Sequence, residues 1–337
     1  MKLERILDNE NVHFNQNEKS EVFAKDFRFC DLSAIEDHSV VLIKDKKNLK
    51  LVEEVLLEKK ELCLVLSKDL FDSEEVKEQF KNHTLSYVEN FDQGLCHISK
   101  LAFEEKNNDC HDSVDGRKLG TTDIHPSADI AENVFIGSNV KIEEGVKIYS
   151  GVKILSNSSI GKNSVLYSGA TVYPYVKIGN GCRVHSNAVI GADGFGFRFI
   201  GGKHHKVYHS GGVLIGDDVE VGAATTIDAG TFSPTIIGTN SKFDNQVQIG
   251  HNCKIGQGVI FCAQTAVGGS SVIGDFTVFG GKSGMTDHAT LGKACQVAGG
   301  ALVNCSWPDG TVLGGHPARP LKEWMRGLAY LRKQTKK

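Results

Sequence analysis

Apolar side chains return at every sixth position over most of the chain beyond its first third. Twelve successive apolar residues at this spacing occupy residues 124–190, and three more occupy residues 215–227. After a four-residue slip at TFSP, twelve further ones occupy residues 237–303. Because 40% of all residues are apolar, twelve successive matches have a chance probability on the order of 10⁻⁵. The period is therefore a property of the fold.

A six-residue period fits neither the heptad of a coiled coil nor a helical repeat of about 34 residues. It suits a prism with three flat sides, in which each side takes one hexad per coil and the periodic residue points inward. The 27 hexads would form nine coils about 4.8 Å apart, and so a prism on the order of 40 Å tall. The sequence therefore predicts a mainly β protein built around a parallel β-helix.

Two further features of the hexads carry predictions. Cys182, Cys253 and Cys295 lie two residues before a periodic apolar residue, a position that predicts a small side chain filling the core. Glycines such as Gly137 and Gly256 directly follow the periodic residue. We expect them at turns between the sides, with positive φ.

The first part of the chain has a different pattern. Residues 1–110 contain only one glycine, and short β-branched runs there alternate with helical patterns, which predicts a small α/β domain. Strands are expected at residues 40–43, 63–66 and 84–88, and helices at residues 48–59, from Ser73 onward and at residues 94–103. The predicted organisation is an α/β domain at 1–105, a polar linker at 106–120, the β-helix at 121–313, and a C-terminal loop and basic helix at 314–337.

Composition narrows the classes of function. The net charge of −3 and pI near 6.5 give no basic field, so nucleic-acid binding is not expected. No stretch approaches the roughly 18 apolar residues of a membrane span, and the amino terminus lacks the apolar core of a signal peptide. Nine cysteines without a CxxC pair argue against a zinc cluster or a disulfide framework. We expect a cytoplasmic protein with reduced thiols.

The interruptions of the period carry the most specific motifs. The longest is GADGFGFRFIGGKHHKVYHSGG at residues 191–212, and it is followed by IGDDVEVGAATTIDAG, DNQVQIGHN and GGHPARPLKEWMR. With these motifs in this order, residues 124–332 resemble the UDP-3-O-acylglucosamine N-acyltransferases, a family of hexapeptide-repeat acyltransferases. The resemblance implies a left-handed β-helix that works as a homotrimer, with sites between neighbouring prisms.

The resemblance also implies a reaction and its partners. A 3-hydroxyacyl chain would pass from the 4'-phosphopantetheine of acyl carrier protein to the 2-amine of UDP-3-O-acyl-glucosamine, in lipid A biosynthesis. No permanently bound cofactor or metal is implied, and membrane contact would be peripheral at most. Of the catalytic residues, His251 in GHN matches the general base and His288 in MTDHATLG a histidine that holds the acyl donor or thioester. Gly269 matches the glycine whose amide faces the developing oxyanion.

Further residues are candidates for binding substrate or partner. Asp244, Asn245 and Gln248 are predicted to orient the base and the donor arm, although each could instead cap its own turn. The full set of predicted substrate-binding residues is Asp244, Asn245, Gln248, Asn252, Phe195 and Gly196. The basic tail could dock an acidic acyl carrier protein through Arg319, Lys322 and Arg326 or simply keep the end of the prism soluble.

The three histidines of the insertion, His204, His205 and His209, could suggest a metal site. No carboxylate or cysteine stands nearby at ligand spacing, so a loop that packs on substrate is the favoured interpretation.

At several positions the sequence departs from the family pattern. Val41, Lys44 and Lys47 stand where the family holds uracil with an aromatic residue, an asparagine and a tyrosine, and Ala229 replaces an arginine. These departures leave two alternatives open. One is a coenzyme A-dependent acyl- or acetyltransferase acting on another nucleotide sugar, and the other is a non-catalytic paralogue.

Overall fold

The computed structural model describes residues 12–14, 27–32, 34–315 and 318–335. Its main feature is a triangular prism whose three faces are parallel sheets of nine, ten and nine strands. Paired strands are usually eighteen positions apart, as in the pairing of Lys147 with Val165, so one coil takes three hexads. The predicted β-helix is confirmed, and the architecture is consistent with the left hand that the resemblance implies.

Each face takes one short strand from each coil. The first face comprises Asp123–Ile124, Lys141–Ile142, Ser159–Ile160, Val176–Ile178, Val213–Ile215, Thr235–Ile237, Lys254–Ile255, Val272–Ile273 and Thr290–Leu291. The second face comprises Asp129–Ile130, Lys147–Ile148, Val165–Leu166, Arg183–Val184, Glu220–Val221, Lys242–Phe243, Ile260–Phe261, Val278–Phe279, Gln296–Val297 and Val312–Leu313. The third face comprises Phe135–Ile136, Lys153–Ile154, Thr171–Val172, Val189–Ala192, Thr226–Asp228, Gln248–Ile249, Ala266–Val267, Gly284–Met285 and Leu302–Val303.

The core of the prism consists of the periodic residues. Every one of them from Ile136 to Val303 is buried, and each contributes roughly 1.5 to 3 kcal/mol relative to exposure. Phe243, Phe261 and Phe279 stack on successive coils with ring centroids 4.9 Å apart. The three cysteines predicted to fill the core, Cys182, Cys253 and Cys295, are buried as expected. Burial raises the pKa of Cys253 to about 12, so this thiol is inert.

The prediction of positive φ at Gly137 and Gly256 is wrong, because neither lies in the left-handed region. Glycine is needed at these two positions because the neighbouring coil comes too close for a side chain. A Cβ on Gly137 would lie 2.5 Å from the Ser156 amide nitrogen. Positive φ occurs two residues later, as at Asn139 with φ 55°. Asparagine tolerates this conformation better than other residues that carry a side chain.

A five-stranded sheet forms the core of the N-terminal part, in the order β1-β5-β4-β3-β2. All neighbouring strands are parallel except β1 and β5. The strands are β1 (Val12–Phe14), β2 (Arg28–Phe29), β3 (Ser39–Ile43), β4 (Cys63–Ser67) and β5 (Thr84–Val88). The helices are α1 (Lys46–Glu58), α2 (Lys68–Phe71), α3 (Glu74–Gln79) and α4 (Phe91–Asn107). The Ser73 side chain accepts from the Val76 amide and so caps α3, the helix predicted from Ser73 onward.

The polar segment after α4 lies against the first coils of the prism. The Asp112 carboxylate accepts from the amide and the hydroxyl of Ser156, at 2.8 and 2.7 Å. A short helix, α5 (Gly116–Leu119), follows. A Cβ on Gly116 would lie 2.2 Å from the Gly137 carbonyl oxygen, so only glycine fits there. These contacts fix the N-terminal part to the prism.

The C-terminal helix α6 (Leu321–Thr335) buries none of its side chains. Lys322 and Arg326 on this helix, and Arg319 just before it, are exposed; the basic residues Lys336 and Lys337 lie outside the described residues. Within the described ranges, no helix has the length and apolar character needed to cross a bilayer.

Candidate active site

Three predicted catalytic residues lie at one corner of the prism, between the third and first faces. This corner, called here the His251 corner, comprises the turns 250–252, 268–270 and 286–288 on successive coils. The Ser270 amide donates to the His251 carbonyl at 2.7 Å, and the His288 amide donates to the Gly269 carbonyl at 3.0 Å. His251 is therefore one coil from Gly269, and His288 one coil further, with an exposed side chain.

Hydrogen bonds around His251 determine which of its ring nitrogens carries a proton. The ring Nδ1 lies 3.0 Å from Asn252 Oδ1. Asn252 Nδ2 donates to the Asp31 carboxylate at 2.8 Å, which fixes the amide with Oδ1 toward the imidazole. An amide oxygen can only accept. His251 therefore donates through Nδ1–H, and Nε2 keeps its lone pair as a base.

The basic nitrogen faces Gly269. A Cβ added to Gly269 would lie 2.7 Å from His251 Nε2, closer than real side chains approach. At the equivalent hexad position of another corner, between the first and second faces, the Lys162 and Gln257 amides donate to a side chain of the next coil. In the part of the chain that the structure describes, the Gly269 amide donates to no acceptor. A basic nitrogen and an uncapped amide thus lie side by side.

Two glycines of the insertion, Gly194 and Gly196, leave room for the imidazoles of His251 and His209 to pack against the backbone. A Cβ on Gly194 would lie 2.6 Å from His251 Cβ, and one on Gly196 would lie 2.8 Å from His209 Cε1. Gly196 therefore lies beside His209, and its contact with substrate stays a prediction. The Phe195 side chain is 87% exposed and meets Phe197 edge to face, so it is not part of this cluster within one chain.

His209 is a second imidazole at the site, and its role was not predicted from the sequence. Its ring centroid lies 5.0 Å from that of His251, and only 4% of the residue is exposed. Among the described residues, neither of its ring nitrogens has a hydrogen-bond partner. Burial, reinforced by the charges of His251 and Lys206, lowers the pKa of His209 to about 3. The other two histidines, His204 and His205, lie on the exposed strand Lys203–Lys206 of a hairpin.

The low pKa of His209 predicts acid sensitivity. In the unfolded chain the imidazole takes up a proton below its ordinary pKa of 6.5, whereas in the folded chain it does so only near 3. The stability linked to this group is therefore present above pH 6.5 and lost as the pH falls below it. We expect His209→Gln to reduce the fall in Tm between about pH 7.5 and about pH 5 by roughly 2 °C or more. Equal falls in the wild type and the variant, measured by circular dichroism, would contradict the assignment.

A cavity of about 430 Å³ lies beside His209, between α4 and the turn at residues 173–175. Its walls are largely apolar and aromatic and include Phe103, Tyr173 and Tyr175. The Lys106 ammonium, at the end of α4, hydrogen-bonds to the Ser210 carbonyl, and burial lowers the pKa of Lys106 to about 8. An apolar space with a few polar groups is typical of a small-molecule site.

Asp244 and Asn245 do not share the neighbourhood of His251 within one chain, and that expectation is wrong. They lie at the preceding corner, between the second and third faces. There Asp244 accepts from the Ala263 amide at 3.1 Å, and Asn245 accepts from the Ala223 amide at 2.8 Å. These are the turn caps that the sequence left open as the alternative.

Gln248 and Asn252 also use their amides within the protein. Gln248 lies on the third face, and its Nε2 donates to Asp228 at 3.0 Å. Burial raises the pKa of Asp228. Asn252 bonds to Asp31, His251 and Thr231, so both ends of its amide are engaged. Through these contacts Asn252 holds the His251 ring in place.

Comparison with known proteins finds acyltransferases among the proteins to which this chain is similar. A family model described as the GMPPB C-terminal domain matches residues 119–195. The UDP-3-O-acylglucosamine N-acyltransferase of Methylobacterium nodulans is 44% identical over 159 residues, which cover 47% of this chain and 45% of that protein. The protein of the same name from Helicobacter hepaticus is 43% identical over 154 residues, which cover 45% of this chain and 47% of that protein.

Among solved structures, the UDP-N-acetylglucosamine acyltransferase from Campylobacter jejuni is 27% identical, with a TM-score of 0.45. That match covers 54% of this chain and 68% of the other. The chain spans about half the length of the curated relatives it matches. The resemblance inferred from the sequence motifs is confirmed over that half, where the relatives are UDP-3-O-acylglucosamine N-acyltransferases.

Proposed function

We propose that this chain is an N-acyltransferase that moves a 3-hydroxyacyl group from acyl carrier protein to the 2-amine of UDP-3-O-acyl-glucosamine, a step of lipid A biosynthesis. One observation carries the proposal. In a chain whose relatives bear that enzyme's name, an imidazole is held by Asn252 with its basic Nε2 toward Gly269. That arrangement suits a general base for acyl transfer.

The mechanism follows from the positions of these groups. The 2-amine attacks the thioester carbonyl, and His251 Nε2 accepts the proton that the amine loses. The Gly269 amide donates to the oxygen that becomes negative in the tetrahedral intermediate. When the intermediate collapses, the carbon–sulfur bond breaks and the imidazolium returns its proton to the phosphopantetheine thiolate. His288, exposed one coil beyond Gly269, is proposed to hold the donor near its thioester.

The donor and the assembly are part of the same proposal. The exposed cations Arg319, Lys322 and Arg326 offer a basic surface to an acidic carrier protein.

A homotrimer is supported by apolar side chains on the outer surface of the first face, where Leu214 and Ile236 are 36% and 37% exposed. Contact between prisms along that face would cover them. Such a donor and a nucleotide-sugar acceptor place the reaction in the cytoplasm.

The N-terminal part, residues 1–105, is proposed to hold the nucleotide through charge. Val41 is fully buried in its sheet, so its side chain cannot stack on a base. Lys47 is exposed, and the Lys44 ammonium lies 3.4 Å from the Asp92 carboxylate. Phosphates need charge rather than an aromatic surface, so we propose that Lys47 contacts them, joined by Lys44 if it exchanges Asp92 for a phosphate.

The test is an assay of the purified chain with 3-hydroxyacyl carrier protein and UDP-3-O-acyl-glucosamine, followed by mass spectrometry. We expect a doubly acylated product, and faster turnover with the carrier protein than with acetyl-coenzyme A in a parallel reaction. Preference for acetyl-coenzyme A would favour an acetyltransferase of another nucleotide sugar. Failure with every donor would favour a non-catalytic paralogue.

A further inference from the structure

We propose that Asp31, on the N-terminal part of the chain, is a positioning residue that sets the tautomer of His251 through Asn252. This inference rests on the function proposed above, because it concerns the nitrogen that acts as the base. Asp31 lies 221 positions from Asn252 in the sequence and just after β2. It reaches the His251 corner because the N-terminal part packs against the prism there.

The packing uses the four residues at which the hexad period slips. The Ser233 amide donates to Asp31 Oδ2 at 2.9 Å, and the Asp31 amide donates back to Ser233 Oγ at 3.1 Å. Next to this reciprocal pair, the Phe29 and Phe232 rings stack with centroids 5.7 Å apart. The TFSP slip is therefore a docking loop for β2, and it fixes the Asp31 carboxylate at the site.

The chemistry of the contacts leaves one arrangement. Burial raises the pKa of the Asp31 carboxyl, but its Oδ2 accepts from the Ser233 amide and is therefore an acceptor, so Asn252 must offer its NH₂ group to it. The amide oxygen then faces His251, where it also accepts from the Thr231 amide at 3.1 Å. An imidazole that donates through Nδ1 must be basic at Nε2. Asp31 therefore acts together with Thr231, which holds the amide oxygen, to decide which nitrogen of His251 can take the proton from the amine.

Asp31→Asn tests this control with little change in shape. In the wild type the Ser233 amide and Asn252 Nδ2 both donate to Asp31 Oδ2. Where the new NH₂ group takes the place of that oxygen, Asn252 must flip, give up its bonds from Thr231 and present NH₂ to His251 Nδ1. That moves the imidazole proton to Nε2, where it blocks the base. We expect kcat to fall at least about tenfold, with KM for both substrates within about twofold of the wild type.

A double variant separates positioning from mere structural support. In Asp31→Asn with Asn252→Asp, the carboxylate at position 252 accepts from both the new amide and His251 Nδ1, so the productive tautomer returns. We expect kcat to recover to within about threefold of the wild type. Asp37→Asn is the matched control and should leave kcat unchanged. The Asp37 carboxylate is exposed and, among the residues that the structure describes, accepts only from the Lys60 amide.

A readout without substrates distinguishes failure of this inference from failure of the proposed function. Diethyl pyrocarbonate acylates unprotonated imidazole nitrogen, and mass spectrometry reports the rate at each histidine. We expect Asp31→Asn to slow modification of His251 several-fold and to leave the exposed His125 unaffected, even if the wild type turns over no substrate. If His251 is modified in Asp31→Asn at the same rate as in the wild type, the inference is overturned. It is also overturned if kcat of the double variant is no higher than kcat of Asp31→Asn.

Discussion

Alanine at position 251 is expected to lower kcat/KM for acyl transfer at least about 10²-fold, measured by mass spectrometry of the N-acylated product. The reason is chemical. The attacking amine must lose a proton as the carbon–nitrogen bond forms, and Nε2 of this imidazole is the basic atom that faces Gly269. A methyl group cannot accept that proton. The loss should appear in kcat more than in KM, because the imidazole acts in the transition state.

The matched control is His125→Ala. His125 is exposed on the first coil, and among the described residues its side chain hydrogen-bonds only with its neighbour Ser127. Its loss should therefore leave the rate within about twofold of the wild type. Both variants should retain the β-sheet circular dichroism of the parent. A His251→Ala protein as active as the wild type would refute the role of this histidine.

Gly269→Ala is expected to cost about 10² in kcat/KM, through shape rather than proton transfer. The added methyl would lie 2.7 Å from His251 Nε2 and 2.8 Å from Cε1. It would occupy the space in which amine and thioester must meet, and push the imidazole from its hydrogen bond with Asn252. The same assay measures the loss.

Gly281→Ala is the control for this substitution. Gly281 holds the equivalent hexad position at the corner between the second and third faces, where an added Cβ meets its nearest atom at 3.5 Å. That is an ordinary contact, so activity and Tm should change little. Equal losses in the two variants would mean that any methyl at this position disturbs the prism, and the argument from Gly269 would fail.

The prism was predictable because its cause is repeated in the sequence. Each hexad places one apolar side chain in the core, and a strand of two residues such as Lys147–Ile148 needs no other signal. Strands β3, β4 and β5 of the N-terminal part were likewise predicted from apolar runs, and β4 is buried at four of its five residues. The short strands β1 and β2 were not predicted.

The same period explains one error. A separation of six or seven residues moves the chain to the next corner, which separates Asp244 and Asn245 from His251. A separation of eighteen returns it to the same corner, which brings Gly269 beside His251. The positions of these residues within their hexads already indicate that Asp244 and Asn245 lie at a different corner from His251 and Gly269. The expectation drawn from the motifs did not take those positions into account.

Other features of the site have no periodic signal. The approach of Gly194 to His251 and of Gly196 to His209 depends on the path of the insertion. Asp31 reaches Asn252 only because the N-terminal sheet docks on the TFSP loop. Contacts between separate parts of a chain depend on how surfaces fit, and short sequence patterns do not encode that fit.

The central claim is that acyl transfer takes place at the His251 corner, with Nε2 as the base. A crystal structure of the protein with its doubly acylated product measures this directly. The account predicts the new amide nitrogen about 3 Å from His251 Nε2, and the new carbonyl oxygen about 3 Å from the Gly269 amide nitrogen. A product whose amide lies at another corner, beyond the reach of His251 of any subunit, would contradict it.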